Sequence, residues 1–394
     1  MKTKSEIKLL IDFGLQPISN RYLPQSDQEE KLFPLKLGQC QSTGLIQLID
    51  PVPAEELVPK YDWITYFEPE NHLDSLVDRI YKSYFSKKNP IVGGISYKDD
   101  STLMRFEALG CKSWRVDPTN DLNLGENAGV ESVQASLNVE NSKEIATKKG
   151  KAGLLVVRHI WEHIHDQNIF VKSLKELVVE DGYILFEVPD CSNLISSLDY
   201  TMPWEEHLYY YTPSTLKQSI KRHGFEIIDI ESIPHPYENS IVVLVKFQTS
   251  KNEEDIVEIN ELKNDKSLHG RRIYGEEYIP QKKMIFEILS EENRKRKIML
   301  FGAGHISGAF INHYSLNGLI DCVVDDDSHK QGLFMPKSGL PIINSKVLIK
   351  NKSSLCLLAV NPIHEEKIIS KQKRFLQQGG EFRSICPLSK YSFY

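Results

Sequence analysis

Apolar and polar positions divide the chain into three stretches of different rhythm. Up to about residue 75 the apolar runs are short, the clearest at 36–40 and 45–49, and prolines from Pro17 to Pro59 interrupt them. This predicts a small, irregular domain with β structure over 1–75. From 76 to 248 apolar runs alternate with amphipathic segments. Strands are expected at 91–95, 113–116, 154–157 and 183–188, and a helix at 101–109. A second helix should bury Ile169, Phe170, Leu174, Leu177 and Val178 and stop at Asp181-Gly182. Thr212-Pro213 reads as a helix start and Gly224 as a helix end. Runs at 225–230 and 241–247 then close an antiparallel hairpin. Residues 249–296 are polar, a linker followed by a helix carrying Met284, Ile285, Ile288 and Leu289. Over 297–394 the alternation returns, with strands at 298–301, 322–324 and 355–360. Repeated strand–helix units predict an α/β fold with two doubly wound, Rossmann-like sheets.

Composition agrees with a folded, globular chain. Of 394 residues 40% are hydrophobic, and 48 Lys and Arg against 54 Asp and Glu give a net charge of −6. A mildly acidic chain lacks the dense basic surface of nucleic-acid binding, so no nucleic acid is expected as partner. The basic run at 293–297 reads as a solvated helix end. No apolar run approaches the ~18 residues of a membrane span. Six scattered cysteines without a CxxC pair suit reduced thiols, and a cytoplasmic location is expected.

Four segments could carry chemistry. Gly302-Ala303-Gly304-His305-Ile306-Ser307-Gly308 follows a strand and opens a helix, and Asp325 ends the next strand. That is the setting of a nucleotide-cradling loop with a ribose-binding acid, and equally of a glycine turn needed for packing. Asp117 ends a strand of the central sheet, where it would bind ribose or cap a helix. Arg158-His159-Ile160-Trp161-Glu162-His163-Ile164-His165-Asp166 follows a buried strand at the edge where open α/β sheets bind ligands. His159 and His163 are four apart, but the HExxH order is absent and no metal is expected. Trp204-Glu205-Glu206-His207-Leu208-Tyr209-Tyr210-Tyr211 sets a carboxylate beside an imidazole, a pairing suited to proton transfer, with aromatics that would line a ring-shaped substrate or pack the core.

In this order the segments resemble the sugar C-methyltransferase family over nearly the whole chain. The shared motifs are the run at 11–20, Val116-Asp117-Pro118, Phe186-Glu187-Val188-Pro189, Glu206-His207-Leu208, Val324-Asp325-Asp326-Asp327 with Lys330-Gln331-Gly332, and Pro341-Ile342. Family members methylate a carbon of a nucleotide-linked keto-deoxysugar with S-adenosylmethionine (SAM). They combine a small zinc-binding domain, a class I methyltransferase domain and a C-terminal Rossmann-like domain. The resemblance implies catalysis by His207 and Glu206, helped by Tyr66. It implies SAM held near Gly94, Ser96, Asp99, Asp117, Arg158 and His159. Trp204, Tyr209, Gly302, Gly304 and Asp325 would hold the nucleotide sugar, in glycan or surface-polysaccharide synthesis, in a monomer or a homodimer.

The departures are specific. Of the family's zinc-binding cysteines only Cys40 stands here, with Thr43 in the partner position, so no zinc is expected. Trp204 and Glu205 replace a tyrosine and a histidine. In the SAM loop the family's two turn glycines are Ser96 and Asp100. Two further readings stay open: a relative that binds a nucleotide sugar without methyl transfer, and an enzyme using a dinucleotide at Gly302 to Gly308.

Overall fold

A computed structural model describes residues 6–64, 68–86, 89–125, 128–248 and 266–394. The first sheet is antiparallel. Ile7–Pro17 (β1) pairs with Leu32–Cys40 (β2), and β2 with Ile46–Ile49 (β3). Alternate residues face inward, so Ile11 and Phe13, Leu35 and Leu37, and Ile46 and Leu48 form one apolar face.

The central sheet begins with four parallel strands, Ile91–Gly94 (β4), Lys112–Arg115 (β5), Ala152–Arg158 (β6) and Val178–Asp190 (β7). The chain then leaves this sheet, and Tyr209–Tyr210 (β8) pairs with β3 as fourth strand of the first sheet. It returns as the antiparallel hairpin Phe225–Ile233 (β9) and Asn239–Phe247 (β10), giving the order β5-β4-β6-β7-β10-β9. Strand order reverses between β4 and β6, and such a switch leaves a crevice at the carboxyl ends of the two strands.

The last sheet is parallel: Ile298–Phe301 (β11), Cys322–Val324 (β12), Ile342–Ile343 (β13), Leu355–Leu358 (β14) and Glu381–Ser384 (β15), in the order β13-β12-β11-β14-β15. The fold is α/β, with two Rossmann-like sheets and a smaller β sheet.

One apolar core runs from Ile11 and Leu37 of the first sheet, through Ile285 and Leu289 of helix Tyr278–Asn293, to Leu300 and Leu357 of the last. The first and last sheets therefore fold onto each other, and β8 ties the central segment to both. Among the described residues no helix is long and apolar enough to cross a membrane. All six cysteines are free and buried.

Two local expectations are corrected. Helix Gln167–Leu177 ends before Asp181-Gly182, because Val178 already pairs with Ala152 as the first residue of β7. Ile169, placed on the buried face, is 45% exposed. In helix Tyr278–Asn293 the buried stripe is Tyr278, Gln281, Ile285 and Leu289, and Met284 is 43% exposed.

Candidate active site

A cavity of about 740 Å³ opens at the carboxyl edge of the central sheet. Ser19 and Arg21 reach it from the first stretch of the chain, Glu131, His163 and His207 from the central one, and His305 from the last. Its floor is built by the chain leaving β6. His159 takes φ 50°, and a single turn follows at Trp161–His163. Trp161, fully buried among Phe170, Phe186 and Phe225, pins that turn, while Glu162 and His163 line the cavity. Leu208 N–H donates to the Glu162 carbonyl at 2.9 Å, and Leu48 N–H to the Leu208 carbonyl at 2.9 Å. These two bonds hold Glu206-His207 over the floor.

The His207 ring meets His163 edge to face, with centroids 4.6 Å apart. His163 Nδ1 in turn lies 2.5 Å from Glu131 Oε1, from helix Val130–Ser136. Burial, then the charges of His163 and His305, push the His207 pKa well below its ordinary 6.5. Burial, then the carboxylates of Glu131 and Glu205, push Glu206 well above 4.5. For His163, burial opposes protonation, but Glu131 outweighs it and raises the pKa. Burial thus favours the neutral form of both groups, an imidazole suited to accept a proton and a carboxyl suited to donate one.

Glu205, standing where the family has a histidine, is turned to structure. Its carboxylate accepts from the N–H and the hydroxyl of Ser19 and anchors the N-terminal stretch to the cavity.

The residues expected to hold SAM behave differently from one another. Gly94 is small for a packing reason, since a Cβ there would lie 2.9 Å from Leu103 Cδ1 and 3.0 Å from Asp99 Cβ. The Ser96 hydroxyl accepts from Lys98 N–H and caps the turn Tyr97–Asp99. Asp99 is 0% exposed and accepts from the N–H groups of Ile95, Ser96 and Arg158 at 2.7, 2.9 and 2.8 Å. Burial outweighs those bonds and lifts its pKa to about 6. The loop that lost its turn glycines is therefore closed on its own acid, and Asp99 is a strut.

Arg158 is corrected in the same way. Its side chain is 1% exposed, with Nε 2.6 Å from Glu187 Oε2 and Nη1 2.7 Å from the Lys98 carbonyl. From this neighbourhood Tyr97, Lys98 and His159 line the cavity. His159 lies 3.7 Å from Glu162 Oε1 and 3.6 Å from Glu187 Oε1. Burial works against its charge, but Glu68, Glu162 and Glu187 together raise its pKa to about 10.

Asp117 lies outside the cavity lining. It caps helix Pro118–Leu122, accepting from Thr119 and Asn120 N–H at 2.9 and 3.0 Å. Asp117→Ala is accordingly expected to lower the melting temperature slightly and to leave SAM affinity unchanged, as read by calorimetry. A lost affinity would return Asp117 to the ribose.

Of the expected substrate residues, Trp204 lines the cavity and stacks on His305 at 4.5 Å, joining the reacting end to the C-terminal loop. Tyr209 belongs to β8, stacks on Tyr211 and lies outside the lining, a correction to its expected role. Gly302 takes φ 103°, and a Cβ there would meet the Ala359 carbonyl at 2.7 Å. Gly304 precedes helix His305–His313 and lines a small neighbouring cleft. Asp325 accepts from Ala303 N–H at 2.8 Å and pairs with Lys330 at 3.2 Å, so it holds its own loop. Tyr66 lies outside the described residues. Glu131 has no motif around it, and only the fold carries it to His163.

Three family models match consecutive stretches of the chain. Residues 3–57 match a "Putative zinc binding domain", 98–230 a "Methyltransferase domain" and 240–388 a "C-methyltransferase C-terminal domain". The C-methyltransferase NovU of Streptomyces niveus is 24% identical over 396 residues, covering 96% of this chain and 92% of that one. Among solved structures, a SAM-dependent methyltransferase from Anabaena variabilis is 15% identical with a TM-score of 0.31, covering 45% of this chain and 86% of that one. The magnesium protoporphyrin IX methyltransferase of Synechocystis, solved with bound SAH, is 10% identical with a TM-score of 0.32, covering 46% and 83%. With these three matches in this order, the chain is a SAM-dependent methyltransferase, similar along nearly its whole length to a C-methyltransferase.

Proposed function

We propose that this protein methylates a carbon next to the carbonyl of a nucleotide-linked keto-deoxysugar, in cytoplasmic glycan or surface-polysaccharide synthesis. The observation that carries the reading is that His207 and Glu206 line the same cavity, with burial pushing both toward their neutral forms. His207 takes the proton from the carbon. Glu206 donates a hydrogen bond to the carbonyl oxygen as it gains enolate charge, a role that needs a carboxyl kept neutral. Glu131 orients His163, which packs against His207 and holds that ring. Trp204 and His305 offer stacked faces to the sugar or its nucleotide.

The cavity wall fits a cationic methyl donor. Glu68 and Glu238 line it beside Tyr97; Glu68 already pairs with Lys98 at 2.8 Å and His159 is held cationic, so Glu238 is the acid that would meet the sulfonium, with Tyr97 beside it. Burial and the charge of Glu68 lift the Glu238 carboxyl to about 8, so it ionises when a cation arrives. SAM supplies an electrophilic methyl group, and holding it in line with the carbon is the main catalytic contribution.

The test is calorimetric titration with SAM near pH 7 in buffers of different ionisation enthalpy, followed by nucleotide keto-sugars. The expected result is saturable binding with proton release, the release lost in Glu238→Gln. Absence of binding would sink the donor site. The closed loop around Asp99 favours one second reading, a relative that binds both ligands without methyl transfer. Ternary binding without a methylated product would select it.

A further inference from the structure

The arrangement that presents His207 as a base also assembles a ligand set. We propose that Glu162, His163 and His207 bind one divalent transition-metal ion, and that this ion competes with the proton-accepting role of His207. The competition rests on the methyltransferase reading; the metal site does not.

One ligand atom from each of the three residues lies within 4.8 Å of the others. His163 Nε2 faces Glu162 Oε1 at 3.8 Å. The other nitrogen of His163, Nδ1, is taken by Glu131 at 2.5 Å. A carboxylate on the far nitrogen is the arrangement that fixes the tautomer of a metal-bound imidazole and raises its basicity.

The independent sign is Glu162. Its side chain is buried, about 1% exposed, and neither carboxylate oxygen has a hydrogen-bond partner. A buried acid in that state is costly unless a cation meets it. His159 Nδ1 at 3.7 Å and His163 Nε2 at 3.8 Å lie in ion-pair range and offset part of its charge, but neither reaches hydrogen-bond distance, so both oxygens stay open to a ligand. Two imidazoles and one carboxylate suit Zn²⁺ or Co²⁺ better than Ca²⁺ or Mg²⁺. Three protein ligands beside a cavity leave the fourth position to water or a substrate oxygen. An ion there takes the His207 lone pair, and the ring cannot then accept a proton.

A second grouping, Glu131, His163 and Glu206, shares His163. Glu162 belongs only to the first, so it is the residue that decides between them.

The test uses the full chain, stripped with a chelator and dialysed first against Zn²⁺ and then against Co²⁺, with SAM and sugar absent. The expected result is one bound equivalent and visible Co²⁺ absorption without a thiolate band. Binding should weaken about 10- to 100-fold in Glu162→Gln, and stay unchanged in Cys40→Ser and Glu206→Gln. As a check on folding, Zn²⁺ should raise the melting temperature of the wild type but not of Glu162→Gln, whose metal-free melting temperature should match or exceed the wild type's. Absence of binding, binding indifferent to Glu162→Gln, or a thiolate band lost in Cys40→Ser would each overturn the site. Zn²⁺ should also inhibit methyl transfer and a chelator restore it. SAM titration of the metal-free protein tests the methyltransferase reading separately.

Discussion

His207→Ala is expected to slow methyl transfer by about 10²- to 10⁴-fold, the usual contribution of a positioned general base, while SAM binds as before. A group that acts on the sugar and not on the donor gives this split. In the proposed arrangement SAM is met by Glu238, not by His207. The pH profile offers a second readout. Activity needs His207 neutral and Glu206 protonated. Burial lowers the pKa of His207 below 6.5, so the acid limb should lie below that value. Burial and neighbouring carboxylates raise that of Glu206, so the alkaline limb belongs to it and lies well above 4.5. In Glu206→Gln the alkaline limb should vanish, since an amide still donates a hydrogen bond but does not ionise. Unchanged turnover in His207→Ala would remove this ring from the mechanism.

The second large effect concerns stability. Arg158→Met should destabilise the fold by about 3–5 kcal/mol, the usual consequence of stripping one partner from a buried ion pair. Both members of the Arg158–Glu187 pair are 1% exposed, at 2.6 Å. Arg158 also bonds the Lys98 carbonyl, so its loss loosens the turn over the cavity. Glu187 would be left with His72 at 3.0 Å and His159 at 3.6 Å. Removing both charges at once, as Arg158→Met with Glu187→Gln, should cost much less than Arg158→Met alone. Burial opposes the charge on Glu187, but His159, His72 and Arg158 together hold its pKa well below 4.5. Its stabilisation is therefore present above pH 4.5 and is lost as pH falls through the lower folded value. Denaturant melts at pH 7 compare the variants. A wild-type-like Arg158→Met with weakened SAM binding would instead make Arg158 a donor contact.

Much of the fold was legible because strand–helix alternation is a local signal. Runs such as 154–157 and 298–301 bury whole strands, and Thr212-Pro213 and Gly224 mark a helix by their own geometry. Boundaries that depend on a partner were not legible. Val178 continues a helical pattern in the sequence, yet pairing with Ala152 makes it a strand residue. Nothing local shows that Tyr209–Tyr210 completes a sheet begun more than 150 residues earlier.

The candidate site divides along the same line. Residue type and order alone marked Glu206-His207, the segment from Arg158 to Asp166 and the glycine turn at Gly302. Those are properties of short segments, carried by chemistry that each segment has in isolation. Tertiary structure alone decided what each carboxylate does. Asp99 and Asp325 hold their own loops, Asp117 caps a helix and Arg158 is locked to Glu187. Glu131 is delivered to His163 from a helix without a motif, and the Glu162 carboxylate is left without a hydrogen bond. The physical reason is that a charged group's role depends on its burial and on the partners within a few ångströms of it, and both belong to the folded chain.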